Sequence, residues 1–220
     1  YDEEQKYIAP GVQSIALFSQ IAPDHGRGAV ITDADGREYL DFFAGVGVAS
    51  LGHAHPKYVR AVSDQAARIS VGSFVTGHRM NFCKLLSTVT PGDLKRVQLY
   101  SGGSEAVEAA IRLAKSRTKK YEVVGFWGGF HGKTGGVLGL LGDDFKKELG
   151  PLMPGTYNVP YANCYQCPFR MKHPQCGLFC AEFIRKSLKV STTGRIAAFM
   201  IEPIQGTAGN VIPPPGFLEA

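Results

Sequence analysis

The stretch Val97-Gln98-Leu99-Tyr100-Ser101-Gly102-Gly103-Ser104-Glu105-Ala106 decides how the chain is read. A short apolar, β-prone run leads into two glycines and a serine, and a helical pattern starts at once. Glycines let a backbone turn sharply and approach a ligand closely. A helix start offers unpaired N–H groups and the positive end of a dipole. Ser104 adds a hydroxyl and is expected to cap the helix. Strand, glycine turn and helix start together make an anion cradle, suited to a phosphate. By itself the pattern also describes an ordinary strand-to-helix turn, so the rest of the chain must decide.

The 220 residues suffice for one large domain or two small ones. With 44% hydrophobic and 20% charged residues, the composition is that of a globular protein. Many of the 27 glycines are paired or clustered, as in a loop-rich, ligand-binding α/β protein. The net charge of +5 comes from scattered Lys and Arg, without basic blocks, which argues against nucleic acid as a main partner. The apolar run around Val137–Leu141 is too short to span a membrane. No signal-peptide pattern is seen, and five cysteines, an odd number, do not suggest a secreted disulfide framework. A cytoplasmic setting is therefore expected.

Residues 1–28 read as irregular. Ala29–Thr32 and Arg37–Phe42 alternate about an Asp35-Gly36 turn, predicting a β-hairpin. A glycine-spaced apolar loop, Ala44–Ala49, follows. His55-Pro56 opens a helix, with Val59, Val62, Ala66 and Ile69 on one face. A second helix is predicted over 79–89, with Phe82, Leu85, Leu86 and Val89 inward. The helix from Glu105 to about Lys119 should bury Val107, Ala110, Ile111 and Ala114, with Glu108 and Arg112 as an outward i,i+4 pair. Tyr121–Phe126 reads as a strand, 143–180 as irregular and Ala181–Val190 as an amphipathic helix. Ala197–Pro203 reads as a strand buried on both faces, and Pro213–Ala220 as the start of another helix. Alternating strands and helices predict an α/β fold with a mostly parallel sheet and flanking helices.

Two look-alikes fail on spacing. Gly128–Thr134 ends in Gly-Lys-Thr, but the first P-loop glycine would have to be Trp127. Ser104 has Ala106 where a nucleophile elbow needs its second glycine. What remains are three strand tips carrying chemistry: Tyr100–Glu105, Phe130-His131 and Glu202–Gln205. Ligands of parallel α/β sheets sit at that edge. The tips offer a phosphate cradle, an aromatic plate and a carboxylate that needs a partner if buried.

Ser101–Ala110, Gly129–Thr134 and Ile201–Gly206, in that order, resemble the class III (ω-amino) aminotransferases, pyridoxal-phosphate enzymes of fold type I. The opening Asp35-Gly36, Tyr39–Phe42, Gly45 and Gly52–Pro56 resembles that family too. The resemblance implies pyridoxal 5′-phosphate as cofactor, with Gly103 and Ser104 binding its phosphate. It implies that Phe130 stacks on the ring beside His131, that Glu202 lies near the ring, and that Val46 lines the substrate pocket. It implies that residues 1–50 contribute to a small domain and that 51–220 begin the large cofactor-binding domain. An amino donor, a keto-acid acceptor and a homodimer with interfacial active sites follow as expectations. So does ping-pong transamination; a racemase or epimerase, or a non-catalytic half-transaminase, are the alternatives.

The chain also departs from that pattern. The family's Schiff-base Lys and its Asp at the ring nitrogen follow the Glu-Pro-x-Gln-Gly strand, so both are expected beyond Ala220 and no catalytic residue is expected within this chain. Lys133 stands where members acting on 4-aminobutyrate carry Arg, giving charge without the fork. Thr207 stands where they carry Glu. Both positions belong to the expected substrate pocket and leave the substrate open. Cys164, Cys167, Cys176 and Cys180, with His173 between, have metal-like pairing. A structural zinc, a disulfide and a cluster of reduced thiols are the three outcomes, and no metal is expected at the reaction site.

Overall fold

A computed structural model describes residues 1–9, 18–70, 72, 74–142 and 144–220. Two compact units account for the chain, Tyr1–Phe82 and Cys83–Ala220.

The first unit carries an antiparallel sheet of β1 (Pro23–Arg27), β2 (Val30–Asp33) and β3 (Glu38–Leu40), in that spatial order. The predicted hairpin is β2–β3. Strand β1 lies in the segment read as irregular, since Pro-Asp-His-Gly-Arg has no apolar alternation to betray it. Buried Asp33 organises the turn. Its carboxylate accepts from the Arg37 N–H at 2.9 Å, the Asp35 N–H at 3.0 Å and the Tyr39 hydroxyl at 2.8 Å. The Arg37 bond does most to hold Asp33 below the usual carboxylate range. Asp41 binds the Ala44 and Phe43 N–H groups and His53 Nε2, the last at 2.7 Å. These bonds brace a left-handed turn in which Ala44, Gly45, Val46 and Gly47 all have positive φ. Helix α1 (Pro56–Arg68) starts as expected, with Pro56 in its first turn. Its expected inward face is not covered: Val59, Val62 and Ile69 are 46%, 50% and 53% exposed. Helix α2 (Gly77–Val89) spans the division between the units, and its Leu85 and Val89 are likewise exposed.

The second unit holds α3 (Gly103–Thr118), β4 (Glu122–Phe126), α4 (Gly135–Leu138), β5 (Thr156–Val159), α5 (Phe179–Ser191) and β6 (Ile196–Phe199). Central β4 pairs in parallel with β5 on one side and β6 on the other. The expected parallel sheet is thus present, although one expected strand is not in it. Val97–Tyr100 pairs with no strand among the described residues, and Leu99 stays half exposed. The strand beside β4 is instead β5, in the segment read as irregular, whose Thr-Tyr-Asn-Val sequence is too polar and too short to stand out.

Period-2 alternation along β4 feeds two cores. Val124 and Phe126 pack with Val159, Tyr161, Ile184, Leu188 and Phe217 on the α5 side, and Val123 packs with Ile111, Val137 and Leu140 on the other. Each fully buried side chain of this kind contributes about 1.5–3 kcal/mol. On α3 only Ile111 is fully buried; Ala110 is exposed, and Val107 and Ala114 are half-buried. Strand β6 is only partly covered, with Phe199 49% exposed, so it is not buried on both faces as expected. The expected terminal helix is a turn that folds Phe217 into the core, 5.5 Å from the Tyr161 ring.

At the N-terminal end of the sheet, fully buried Glu122 accepts from the Thr193 N–H at 2.8 Å and the Tyr157 hydroxyl at 3.2 Å. Burial opposes its ionisation, but these bonds and one from the Arg195 N–H outweigh it and keep Glu122 below the usual range. It ties the turn between α5 and β6 to the sheet, at the end opposite the strand tips that carry the site.

Candidate functional site

Within the second unit the structure brings the three strand-tip motifs together. Loop 127–142 leaves the end of β4 and is pinned at its base. Gly128 N–H donates to the Gly142 carbonyl at 3.2 Å, and Gly142 N–H donates to the Gly129 carbonyl at 2.9 Å. The loop lies on the start of α3. Gly132 has φ +112°, and a Cβ there would fall 1.9 Å from Ser104 Oγ and 3.0 Å from Ser104 Cα. Only glycine permits that approach. The same loop is tied to the Glu-Pro segment after β6. Glu202 Oε1 accepts from the Phe130 N–H at 2.8 Å, and Oε2 accepts from the Gly206 N–H at 3.1 Å. Buried Gln205 donates from Nε2 to the Trp127 carbonyl at 2.8 Å.

The helix start differs in detail from the sequence reading. Gly102 is the cap, and Ser104 sits inside the first turn with no capping bond from its side chain. Its hydroxyl instead faces the loop. The first N–H groups of any helix lack partners within it, and space beside Gly103 is open. The Glu105 carboxylate folds back to Gly102, where a Cβ would lie 2.6 Å from Oε2. It occupies ground an incoming anion would take. A helix of 16 residues supplies a full dipole behind this terminus.

His131 is buried, and its Nε2 has no hydrogen-bond partner among the described residues. A buried polar atom without a partner is costly and marks where a ligand can bond. Burial is the main cause that lowers the pKa of His131, opposed by the negative charge of Glu202 and a bond to the Met200 backbone. The ring is therefore neutral near pH 7, able to offer one donor and one acceptor nitrogen. Phe130 is half-buried, its ring edge-on to Phe145 at 5.9 Å. Lys133 is exposed, with Nζ 4.4 Å from the centre of the Phe145 ring.

Open N–H groups, the Ser104 hydroxyl, an aromatic face and an unpartnered buried imidazole nitrogen fit a phosphate-bearing aromatic cofactor. Of the expected site residues, Gly103, Ser104, Phe130, His131 and Glu202 belong to this one unit, together with Lys133 and exposed Thr207. Val46 lies in the other unit, on the left-handed turn. One expectation is corrected. Glu108 does not pair outward with Arg112; its carboxylate accepts the Thr134 hydroxyl. Backbone N–H groups engage both oxygens of Glu202. Gly132 and Glu108 escaped the sequence reading as site residues, although Glu108 stands four residues after Ser104 and so shares its helix face.

The four clustered cysteines line one small cavity with His173, and all are free. Burial pushes the thiols of Cys164 and Cys180 up. Among the described residues, no three His, Cys, Asp or Glu side chains are placed to hold a metal ion.

Comparison with known proteins converges with this geometry. The chain is 34% identical over 202 residues to acetylornithine aminotransferase of Methanothermobacter thermautotrophicus, covering 90% of this chain and 46% of that protein. It is 30% identical over 225 residues to isoleucine 2-epimerase of Lentilactobacillus buchneri, covering 99% and 50%. An (S)-enantioselective ω-transaminase from Thermomicrobium roseum superposes with a TM-score of 0.87 at 25% identity, covering 98% and 51%. The chain thus spans about half the length of the relatives it matches. The family profile described as aminotransferase class-III covers residues 10–220, taking in the glycine turn, the Phe-His-Gly loop and the Glu-Pro strand, and the chain belongs to that family.

Proposed function

We propose that this chain is the cofactor-holding part of a pyridoxal-phosphate-dependent transaminase that moves an amino group from an amine or ω-amino acid to a keto acid. The observation that carries this is the convergence of Ser104, Phe130-His131 and Glu202 in one unit, linked by the Gly132–Ser104 contact and the Glu202–Phe130 bond. Bound pyridoxal phosphate supplies an electron sink for the amine carbon. The chain's own residues do the holding. Gly103 and Ser104 receive the phosphate at the start of α3, where N–H groups and dipole favour an anion. Phe130 presents a flat face, and neutral His131 presents the unpartnered Nε2. Glu202 fixes Phe130 and Gly206 relative to each other. Lys133 is the cation offered to a substrate carboxylate, with Thr207 as a further pocket residue. The reacting lysine is placed outside residues 1–220, in a cytoplasmic homodimer.

Purified full-length protein is expected to show a visible cofactor absorbance band that sodium borohydride abolishes. A protein loaded with pyridoxal phosphate and showing no such band overturns the proposal. Relatives named racemase and epimerase favour a second reading in which the same site inverts an amino acid. One enantiomer supplied without a keto acid decides between them: its optical rotation persists for a transaminase and decays for a racemase.

A further inference from the structure

Ser104 and Glu108 stand one turn apart on α3, and the loop meets that face with every second residue. Gly132 lies on Ser104, Thr134 donates its hydroxyl to Glu108, and Gly136 packs against the same carboxylate. A Cβ at Gly136 would lie 2.7 Å from Glu108 Cδ and Oε1 and 3.0 Å from Oε2. Thr134 occupies the cap position of α4, yet makes no capping bond from its side chain. The hydroxyl is turned away from its own helix and toward α3. Arg112 forms no ion pair with Glu108 among the described residues, so the acid is left to the loop.

We propose that Glu108 is a positioning residue for the cofactor site, latching loop 130–136 onto α3 through the Thr134 hydroxyl. The proposal rests on the cofactor reading above. Phosphate cradle and latch lie on one helix, while the aromatic plate, His131 and Lys133 lie on the loop. The Glu108–Thr134 bond therefore sets the spacing between the phosphate and the groups that face the ring. The near side of the loop is already fixed by Glu202 at Phe130. The far side, from Gly132 onward, depends on Glu108. A carboxylate is not required for its charge: glutamine keeps an acceptor for the same hydroxyl.

The test uses full-length protein carrying Glu108→Ala, Glu108→Gln, Thr134→Val, Thr134→Ser, or Glu108→Ala with Thr134→Val. The readouts are the rate at which pyridoxal phosphate is released on dialysis and amide hydrogen exchange of residues 130–136. Loss of one charge-assisted bond predicts release roughly tenfold faster in Glu108→Ala and Thr134→Val. Glu108→Gln and Thr134→Ser should stay within about twofold of wild type, and the double variant should be no worse than either single one. Exchange over 130–136 should rise in the two disruptive variants with or without cofactor. Wild-type release and exchange in both, or additive effects in the double variant, overturn the latch. A wild type that binds no pyridoxal phosphate overturns the cofactor reading instead, and the exchange data still decide the latch.

Discussion

Gly132→Ala is expected to weaken pyridoxal-phosphate binding by on the order of a hundredfold or more, without unfolding the protein. Two costs meet at this position. The backbone has φ +112°, a region that costs a non-glycine residue about 1–3 kcal/mol. The new methyl would also fall 1.9 Å from Ser104 Oγ and 2.7 Å from Ser104 Cβ, on the first turn of a helix that cannot retreat. Overpacking of this kind costs about 1–3 kcal/mol. Loop and helix must separate, and the cradle and the ring-facing groups separate with them. Gly135→Ala is the control: it lies three residues away in the same loop with nothing within 4 Å of a Cβ. Titration of apoprotein with pyridoxal phosphate measures both. Affinity within about twofold of wild type for Gly132→Ala would contradict the packing of loop on helix start.

Glu202→Ala should lower kcat/KM by on the order of a hundredfold and lower the melting temperature as well. Its two oxygens accept from Phe130 N–H at 2.8 Å and Gly206 N–H at 3.1 Å, joining two loops 72 and 4 residues away in sequence. Hydrogen bonds to a charged group contribute about 1.5–3 kcal/mol each. Truncation leaves both N–H groups without their partner and frees the loop that carries the aromatic plate. Glu202→Gln should be intermediate. An amide keeps one acceptor oxygen, but its nitrogen can only donate and so opposes one of the two N–H groups. Steady-state kinetics with thermal melts checks this order. Glutamine matching wild type would show that only one of the two bonds matters.

The glycine turn and the start of α3 were legible because Ser-Gly-Gly-Ser constrains backbone and chemistry together. The grouping of Phe130-His131 and Glu202 with it followed from the rule that parallel strands carry ligands at one edge. Other features left no local trace. Strand β5 is four residues with no apolar alternation, and it exists because β4 offers it a ladder. Val97–Tyr100 has the opposite problem: a good strand sequence with no partner among the described residues. The apolar stripes of α1 and α2 were readable, but what covers them is not among these residues' contacts. Periodicity likewise put Glu108 on the outside, since it cannot show that a loop 26 residues on returns to cover that face. The paired cysteine spacing left a zinc, a disulfide and reduced thiols open, because spacing fixes neighbours along the chain and not the geometry of the sulfurs; all four thiols are free and line one small cavity.

The central claim is that the start of α3 holds the phosphate of the cofactor. Its most direct test is the affinity of full-length apoprotein for pyridoxal phosphate and for pyridoxal, which lacks the phosphate, in wild type and Ser104→Ala. A hydroxyl that binds an anion predicts that Ser104→Ala weakens pyridoxal phosphate roughly tenfold and leaves pyridoxal within about twofold. Equal losses for both ligands, or none for either, would contradict it.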